Sequence, residues 1–418
     1  MTSAKPLQSS PAFIMYLAVL IATDLTAQMV SVAMSWQMYT LTHAALDLGL
    51  IGLVQFAPMV LLTFVVGYVA DHFNRKLIVS LFLGLEAVVF AVMAIGSGEG
   101  WITRGWILGM VFVLGMANAF LDTTMPALLA NIVQKEHFAK QMAQTTSASQ
   151  VAMMVGPAIG GLLYATGPAT VYGLSGAICC AAALMMMRMR VQQQPVPREP
   201  VTLASVLAGL TFIRSNPVIL GAISLDLFAV LFGGVTALLP IYASTILQVG
   251  AFGLGMLRSA PAIGAMLMSL FLSRRPIDYR VGPILFLSVF VYGVATLVFA
   301  VSTSFTLSLA ALLTLGASDV ISVVIRSTLV LSQTPDAMRG RVNSVNQVFI
   351  GTSNQLGAFE SGLTAAWFGA IPAAIIGGLA TIAVVVLWIK LFPPLFRVNQ
   401  FQTNNHDHSL LDETLTNS

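Results

Sequence analysis

Apolar residues run along this chain in long blocks, and each block is closed by a short polar break. Twelve blocks can be drawn, at about 12–40, 46–70, 77–96, 104–132, 140–165, 168–189, 217–243, 251–273, 281–302, 305–332, 340–365 and 370–392. A helix needs about 20 apolar residues to cross a bilayer core of roughly 30 Å, so each block predicts one membrane span. The largest break lies between the sixth and seventh blocks, "RVQQQPVPREPVTLASVLAGLTFIRSNP". It opens as a proline-rich linker, and Thr202 to Ser215 then has the pattern of a short amphipathic helix lying on a membrane surface. The chain divides accordingly into 1–190, a six-helix bundle; 191–216, a linker with its amphipathic helix; 217–392, a second six-helix bundle; and 393–418, a polar tail expected to be unstructured. The predicted fold class is an all-α membrane protein of twelve transmembrane helices.

Composition agrees with lipid as the main solvent. Of 418 residues, 57% are hydrophobic and 8% charged, against about 25% charged in a soluble domain. The net charge of +3 carries no nucleic-acid signal. The two cysteines, Cys179 and Cys180, are neighbours in an apolar run and are expected to pack, not to form a disulfide. Ten polar residues precede nearly thirty apolar ones at the start, too long a run for a signal-peptide core, which predicts a retained first span.

Charge also sets orientation. Sixteen of the 19 basic residues fall in the termini, the central linker and the even-numbered loops; only Arg104 falls in an odd-numbered loop, and Arg258 and Arg326 lie inside spans. The positive-inside rule then puts both termini in the cytoplasm, which an even number of spans requires. The expected location is the inner (plasma) membrane of a bacterium.

The two halves resemble each other. Laying Leu50 onward over Gly253 onward puts Gly52 on Gly255 and Ala57-Pro58 on Ala260-Pro261, a shift of 203. Gly115 falls on Gly316, Gly156 on Gly357 and Gly161 on Gly362, a shift of 201. The near-constant shift predicts two bundles related by a parallel repeat, one of the common transporter builds.

The stretch "GYVADHFNRK" gathers charge at the turn between spans two and three. Its Gly67, Val69, Ala70, Asp71, Asn74, Arg75 and Lys76 resemble the G-x-L-a-D-r-x-G-r-R/K signature of the major facilitator superfamily, with Val in the Leu position and Asn in that of the second Gly. "QTPDAMRGRVNSV" before span eleven and "GPAIGG" in span five resemble the enterobactin-exporter and drug:proton-antiporter branch. The resemblance covers all twelve spans. It implies a conformational latch at Gly67, Asp71, Arg75 and Lys76, with Asp122 as a partner acid, closing the cytoplasmic side in one state and released in the other. The plain alternative is a topology signal. In the second half the charges are swapped, Arg274 for Asp71 and Asp278 for Arg75.

An ionisable residue inside a span is costly unless paired or wetted, so each is a functional candidate. The resemblance implies that spans one, four, seven and ten line the central cavity. Asp226, Asp319 and Asp24 are therefore the proton-coupling candidates. Asp226 ranks first because no basic residue is near it along its own helix, whereas Asp319 has Arg326 two turns on. Candidate substrate contacts are Gln28, Gln37, Asn118, Arg258 and Arg326; helix–helix hydrogen bonding would also explain the glutamines. Glu86 is expected to be a packing or lipid-edge residue. No nucleotide-binding loop is present, no histidine sits at metal-ligand spacing in a span, and neither cofactor, metal nor catalytic residue is expected.

The function predicted is secondary active transport, with proton-coupled export of a siderophore or amphipathic drug-like molecule by a monomer. An importer of the same fold and a non-transporting membrane sensor are the alternatives.

Overall fold

The structure is a computed structural model and describes residues 11–133, 137–189 and 203–401. Among the described residues there is helix and no strand. In chain order the helices are α1 (Pro11–Thr42), α2 (Ala45–Leu61), α3 (Thr63–His72), α4 (Arg75–Glu99), α5 (Arg104–Ile132), α6 (Phe138–Tyr164), α7 (Pro168–Arg188) and α8 (Leu203–Ser215). They continue as α9 (Pro217–Phe232), α10 (Leu239–Ile241), α11 (Gly250–Arg274), α12 (Val281–Val301), α13 (Phe305–Gln333), α14 (Asp336–Phe368), α15 (Ala370–Leu391) and α16 (Pro393–Phe396). Among the described residues, nine segments are long and apolar enough to cross a bilayer. With the shorter α2 and the more polar α6 and α14, the arrangement is consistent with the twelve predicted spans.

Two predicted spans are interrupted. Span two, expected unbroken over 46–70, divides at Leu62 into α2 and α3, just after Pro58. Pro58 removes one hydrogen bond in the turn before it, inside α2, while at Leu62 the ladder continues from the Leu62 N–H to the Pro58 carbonyl and from the Val66 N–H to the Leu62 carbonyl. Span seven, expected over 217–243, ends as α9 at Gly233-Gly234, passes through a 3-10 turn at Val235–Leu238, and closes in a π turn at Tyr242–Ile246. The Tyr292 hydroxyl donates to the Gly233 carbonyl at 3.0 Å, and Thr381 adds a second donor, at 3.3 Å, to the Ala229 carbonyl, which also accepts the Gly233 N–H. A break inside a membrane is tolerated when neighbouring helices satisfy its backbone in this way.

Helix starts follow local chemistry. The Asn74 side chain accepts from the backbone N–H groups of Lys76 and Leu77, capping α4. That explains asparagine in the signature's second glycine position. Asn216 caps α9 in the same way, with Pro217 as the first helical residue.

The predicted repeat is visible in the packing. In the first half α1 packs on α6, α2 on α5, and α4 on α7; in the second, α9 packs on α14, α11 on α13, and α12 on α15. The shift-related glycines make equivalent contacts. Gly115 lets α5 close onto Gln55 of α2, and Gly316 lets α13 close onto Pro261 of α11. Gly156 sits against Gln28 of α1, and Gly357 against Leu231 of α9. Small residues carry such seams because lipid supplies no hydrophobic drive between helices, and close backbone packing must do so instead.

The ends of the chain depart from expectation. One face of α8 docks on α14: Gly209 lies against Arg341 and Val345, and Ile213 is buried with Ile219, Val342 and Val345. The helix is thus held by protein on at least one side and does not lie on lipid alone. Residues 393–401, expected to be unstructured, include α16, and the backbone carbonyls of Val398 and Asn399 accept from the N–H groups of Gly282 and Val281. The proline-rich part of the linker and residues 402–418 fall outside the described residues.

Candidate functional site

Both ends of the described chain lie on one face of the bundle, here termed the terminal face; the α1–α2 and α4–α5 turns lie on the opposite, distal face. The two halves meet at their distal ends. A methyl group added to Gly49 would stand 3.0 Å from the Phe359 carbonyl oxygen and 3.1 Å from the Cα of Gly362. One added to Gly362 would come within 2.6 Å of the Gly49 Cα. The second seam runs between α6 and α11, where Gly161 faces Ala251 and Gly255 faces Pro157. Towards the terminal face the halves part. Gly67 has nothing within 4 Å of its added methyl position, and much of the terminal third of α6 and α11 is exposed.

Between these seams and the terminal opening lies a cavity of about 240 Å³ at mid-bundle, lined by both halves. Its polar wall comprises Ser31 and Ser35 of α1, Gln55 of α2, Glu86 of α4, Asn118 of α5, Thr236, Arg258 of α11 and Gln355 of α14. Met34, Leu48, Ile51, Phe90 and Leu114 form much of the apolar wall. The Arg258 guanidinium donates to the Ser31 hydroxyl across the two halves. Few polar groups on an apolar wall suit an amphipathic ligand: the wall supplies affinity and the polar groups supply orientation.

Sequence reasoning placed Asn118 and Arg258 here, and both line the cavity. It missed Gln55, Gln355 and Glu86. Gln55 was legible, because the shift of 203 that pairs Pro58 with Pro261 also pairs Gln55 with Arg258. Glu86 was expected to be a packing or lipid-edge residue, and it does pack, though not at the lipid edge. It is only 5% exposed, stands on the cavity wall, and accepts from the Cys179 thiol at 3.7 Å.

Other expected contacts lie elsewhere. Gln37 donates to the Ser97 hydroxyl at 2.9 Å and accepts from the Tyr172 hydroxyl at 2.8 Å, so it ties α1 to α4 and α7 away from the cavity. Gln28 is half-buried in the α1–α6 seam against Gly156. Arg326 is buried within the second half and forms an ion pair with Asp226.

That ion pair overturns the ranking of the acids. Asp226 was placed first because no basic residue neighbours it along α9, but the bundle brings Arg326 to it from α13. Asp319, thought to be held by Arg326 on its own helix, instead shares a small cavity with Asp226. In the first half Asp24 and Asp122 lie within electrostatic range of each other, Glu86 lies in range of Asp122, and Ser149 of α6 lies beside Asp24.

Of the latch residues, Arg75 and Lys76 bond within the first half in this conformation. Arg75 donates to the Asn131 side chain at 3.2 Å and to the backbone carbonyls of Ala127 and Ala70 at 3.3 Å, all within the first half. Its partner in α5 is therefore Asn131, more than two turns beyond the expected Asp122. Lys76 donates to the Met189 carbonyl at 3.0 Å, at the end of α7. The Asp71 side chain lies outside the described residues. Arg104, alone among basic residues in an odd-numbered loop, is neutralised by Asp47 at 2.7 Å. No group of histidine, cysteine or acidic residues among the described residues could hold a metal ion.

Comparison with known proteins bears on this geometry. A family model described as transmembrane secretion effector matches residues 1–418. The enterobactin exporter EntS of Escherichia coli O1:K1 / APEC is 26% identical over 400 residues, covering 94% of this chain and 95% of the exporter. The exporter of the same name from Shigella boydii serotype 18 is equally similar, with the same coverage. Among solved structures, a point mutant of the nucleoside transporter NupG superposes with a TM-score of 0.73 at 13% identity, covering 91% of this chain and 99% of NupG. A bacterial homologue of the human lysosomal transporter Spinster, inward-facing and occupied, gives 0.71 at 14% identity, covering 94% and 97%.

Proposed function

The chain belongs to the transmembrane secretion effector family of major facilitator transporters, and on that footing we propose that it exports an amphipathic small molecule across the inner membrane, driven by protons. The observation that carries this reading is the cavity. It lies between two repeat-related halves, is sealed at the distal face by glycine seams, and is lined by Arg258, three amides, three hydroxyls and one carboxylate. With the terminal face towards the cytoplasm, as the basic residues indicate, this conformation loads substrate from inside. Release outside then requires the distal seams to part and the terminal ends to close.

The latch fits the same cycle. In the terminal-open conformation Arg75 is satisfied by its own half; on closure Gly67, Asp71, Arg75 and Lys76 would face the second half and hold the terminal side shut. Arg258 suits a substrate bearing carboxylates or catecholates, since a guanidinium offers forked donors to paired oxygens. The siderophore named for the EntS relatives is of that kind, which makes an anionic siderophore the first substrate to test.

Everted inner-membrane vesicles given an inside-acid gradient provide the test, with enterobactin and the cationic dye ethidium as probes. Gradient-dependent uptake of enterobactin, lost on collapse of the gradient, is expected. A hydrogen bond to a charged group contributes about 1.5–3 kcal/mol, so Arg258→Ala should weaken apparent affinity roughly tenfold to 100-fold. Movement of neither probe, or gradient-driven loss of enterobactin from preloaded everted vesicles, would overturn export.

A further inference from the structure

The second half sets a buried carboxylate, Asp226, and a part-buried one, Asp319, on the same pair of helices as one buried guanidinium, Arg326. Arg326, 3% exposed, pairs with Asp226, 7% exposed. Asp226 and Asp319 both line a small cavity of about 10 Å³, the size of a single water site. Ser318 and Ser322 of α13 and Tyr292 of α12 complete its polar wall. These hydroxyls are largely committed elsewhere: Ser318 donates to carbonyls of its own helix, and Tyr292 donates to the Gly233 carbonyl. Of the other helices packed on α9, α14 presents Gly357 and α15 presents Thr381; α11, packed on α13, carries Arg258 level with Asp319, but that guanidinium turns to Ser31 across the central cavity. Arg326 keeps a buried donor, Nε, without a partner.

Charge decides what this group must hold. Two carboxylates and one guanidinium sum to −1 in an apolar cluster that includes Leu225, Ala229, Val289 and Leu329. An uncompensated buried charge is far more costly than a neutral carboxylic acid. We propose that Asp226, Asp319 and Arg326 form a one-proton site, in which Asp319 carries the proton while Arg326 holds Asp226, and Arg326 spans both carboxylates once that proton leaves. The unpartnered Nε is the donor available for the second carboxylate. Deprotonation would add a contact within α13 and loosen the hold of Arg326 on Asp226 of α9, beside the break at Gly233-Gly234, which leads directly to Thr236 and Ala237 on the wall of the central cavity. The site rests on the proton-driven reading above for its purpose, but its occupancy can be measured without transport.

The measurement is an infrared pH titration of the full-length protein in lipid nanodiscs, following the carbonyl stretch of protonated carboxyl groups. Wild type should show a component that vanishes as pH rises and is absent from Asp319→Asn. Asp226→Asn should lose it as well, because the freed guanidinium then neutralises Asp319. Arg326→Gln should do the opposite, enlarging the component and carrying it to higher pH. If Arg326→Gln does not fold, the two near-isosteric asparagine variants suffice. Identical spectra for wild type and Asp319→Asn would overturn the proposal. So would a difference that appears in choline chloride and is abolished by sodium chloride, which would assign the site to a metal cation. A confirmed Asp319 component with transport indifferent to the proton gradient would leave the site standing and remove only its coupling role.

Discussion

Replacing Arg326 by leucine is expected to cost this protein more stability than any other single side-chain change considered. The guanidinium is buried in the second half against Asp226, within a cluster of Leu225, Ala229, Phe286, Val289, Ile325 and Leu329. Removing one partner of a buried pair leaves an uncompensated charge and costs about 3–5 kcal/mol. The thermal midpoint in detergent, followed by loss of the monodisperse peak, should fall sharply for Arg326→Leu. Much of the loss should return in the Asp226→Asn/Arg326→Leu double variant, where less charge remains unpaired. An unchanged midpoint in the single variant would show that the pair contributes little. The half-exposed Asp47–Arg104 pair is the contrast: solvent screens it, and pairs of that kind contribute about 1 kcal/mol or less.

Gly362→Leu should have the largest effect on conformation. Its added atoms would collide with the backbone of Gly49, where α14 and α2 seal the distal face. Overpacking of this kind costs about 1–3 kcal/mol, and here the cost falls only on the conformation with the distal seam closed. The ratio of distal-open to terminal-open molecules should then rise by roughly 5- to 150-fold. Spin labels at Leu41 and Trp367, exposed residues at the distal ends of α1 and α14, report it as a longer distance in the variant. An unchanged distance distribution would mean that the seam does not govern closure.

Much of this organisation was legible in the sequence because the forces behind it are local or periodic. Block length and the scarcity of charge gave the spans, and the recurring glycines gave the repeat, since a glycine seam is specified by the two residues that meet. The break in span seven had a visible cause, Gly233-Gly234, but not a visible outcome, and Pro58 lies inside α2 without breaking it. Pro261 occupies the position equivalent to Pro58, and α11 likewise runs through it unbroken. Whether a weakened ladder opens depends on what neighbouring helices offer its carbonyls, and that is a property of the packed bundle.

The acids were misjudged for the same reason. Asp226 looks isolated along α9, and Arg326 looks committed to Asp319 along α13. The pairing that forms, Arg326 with Asp226, crosses from one helix to another. Glu86 was judged by helix number alone, which conveys neither its contact with Cys179 nor its place on the cavity wall. Gln55 could have been found, because the repeat sets it opposite Arg258, but two residues of different chemistry do not announce a shared role.

The central claim is that one cavity is reached from the two faces in turn. A cysteine at Ala27, which is exposed to the cavity on α1, tests it in a Cys180→Ser background with a membrane-impermeant maleimide. Everted vesicles expose the cytoplasmic side and right-side-out vesicles the outer side. Labelling of Ala27→Cys should be fast in everted and slow in right-side-out vesicles, and Gly362→Leu should reverse that order. Equal labelling from both sides in the parent, or an order that Gly362→Leu leaves unchanged, would contradict alternating access through this cavity.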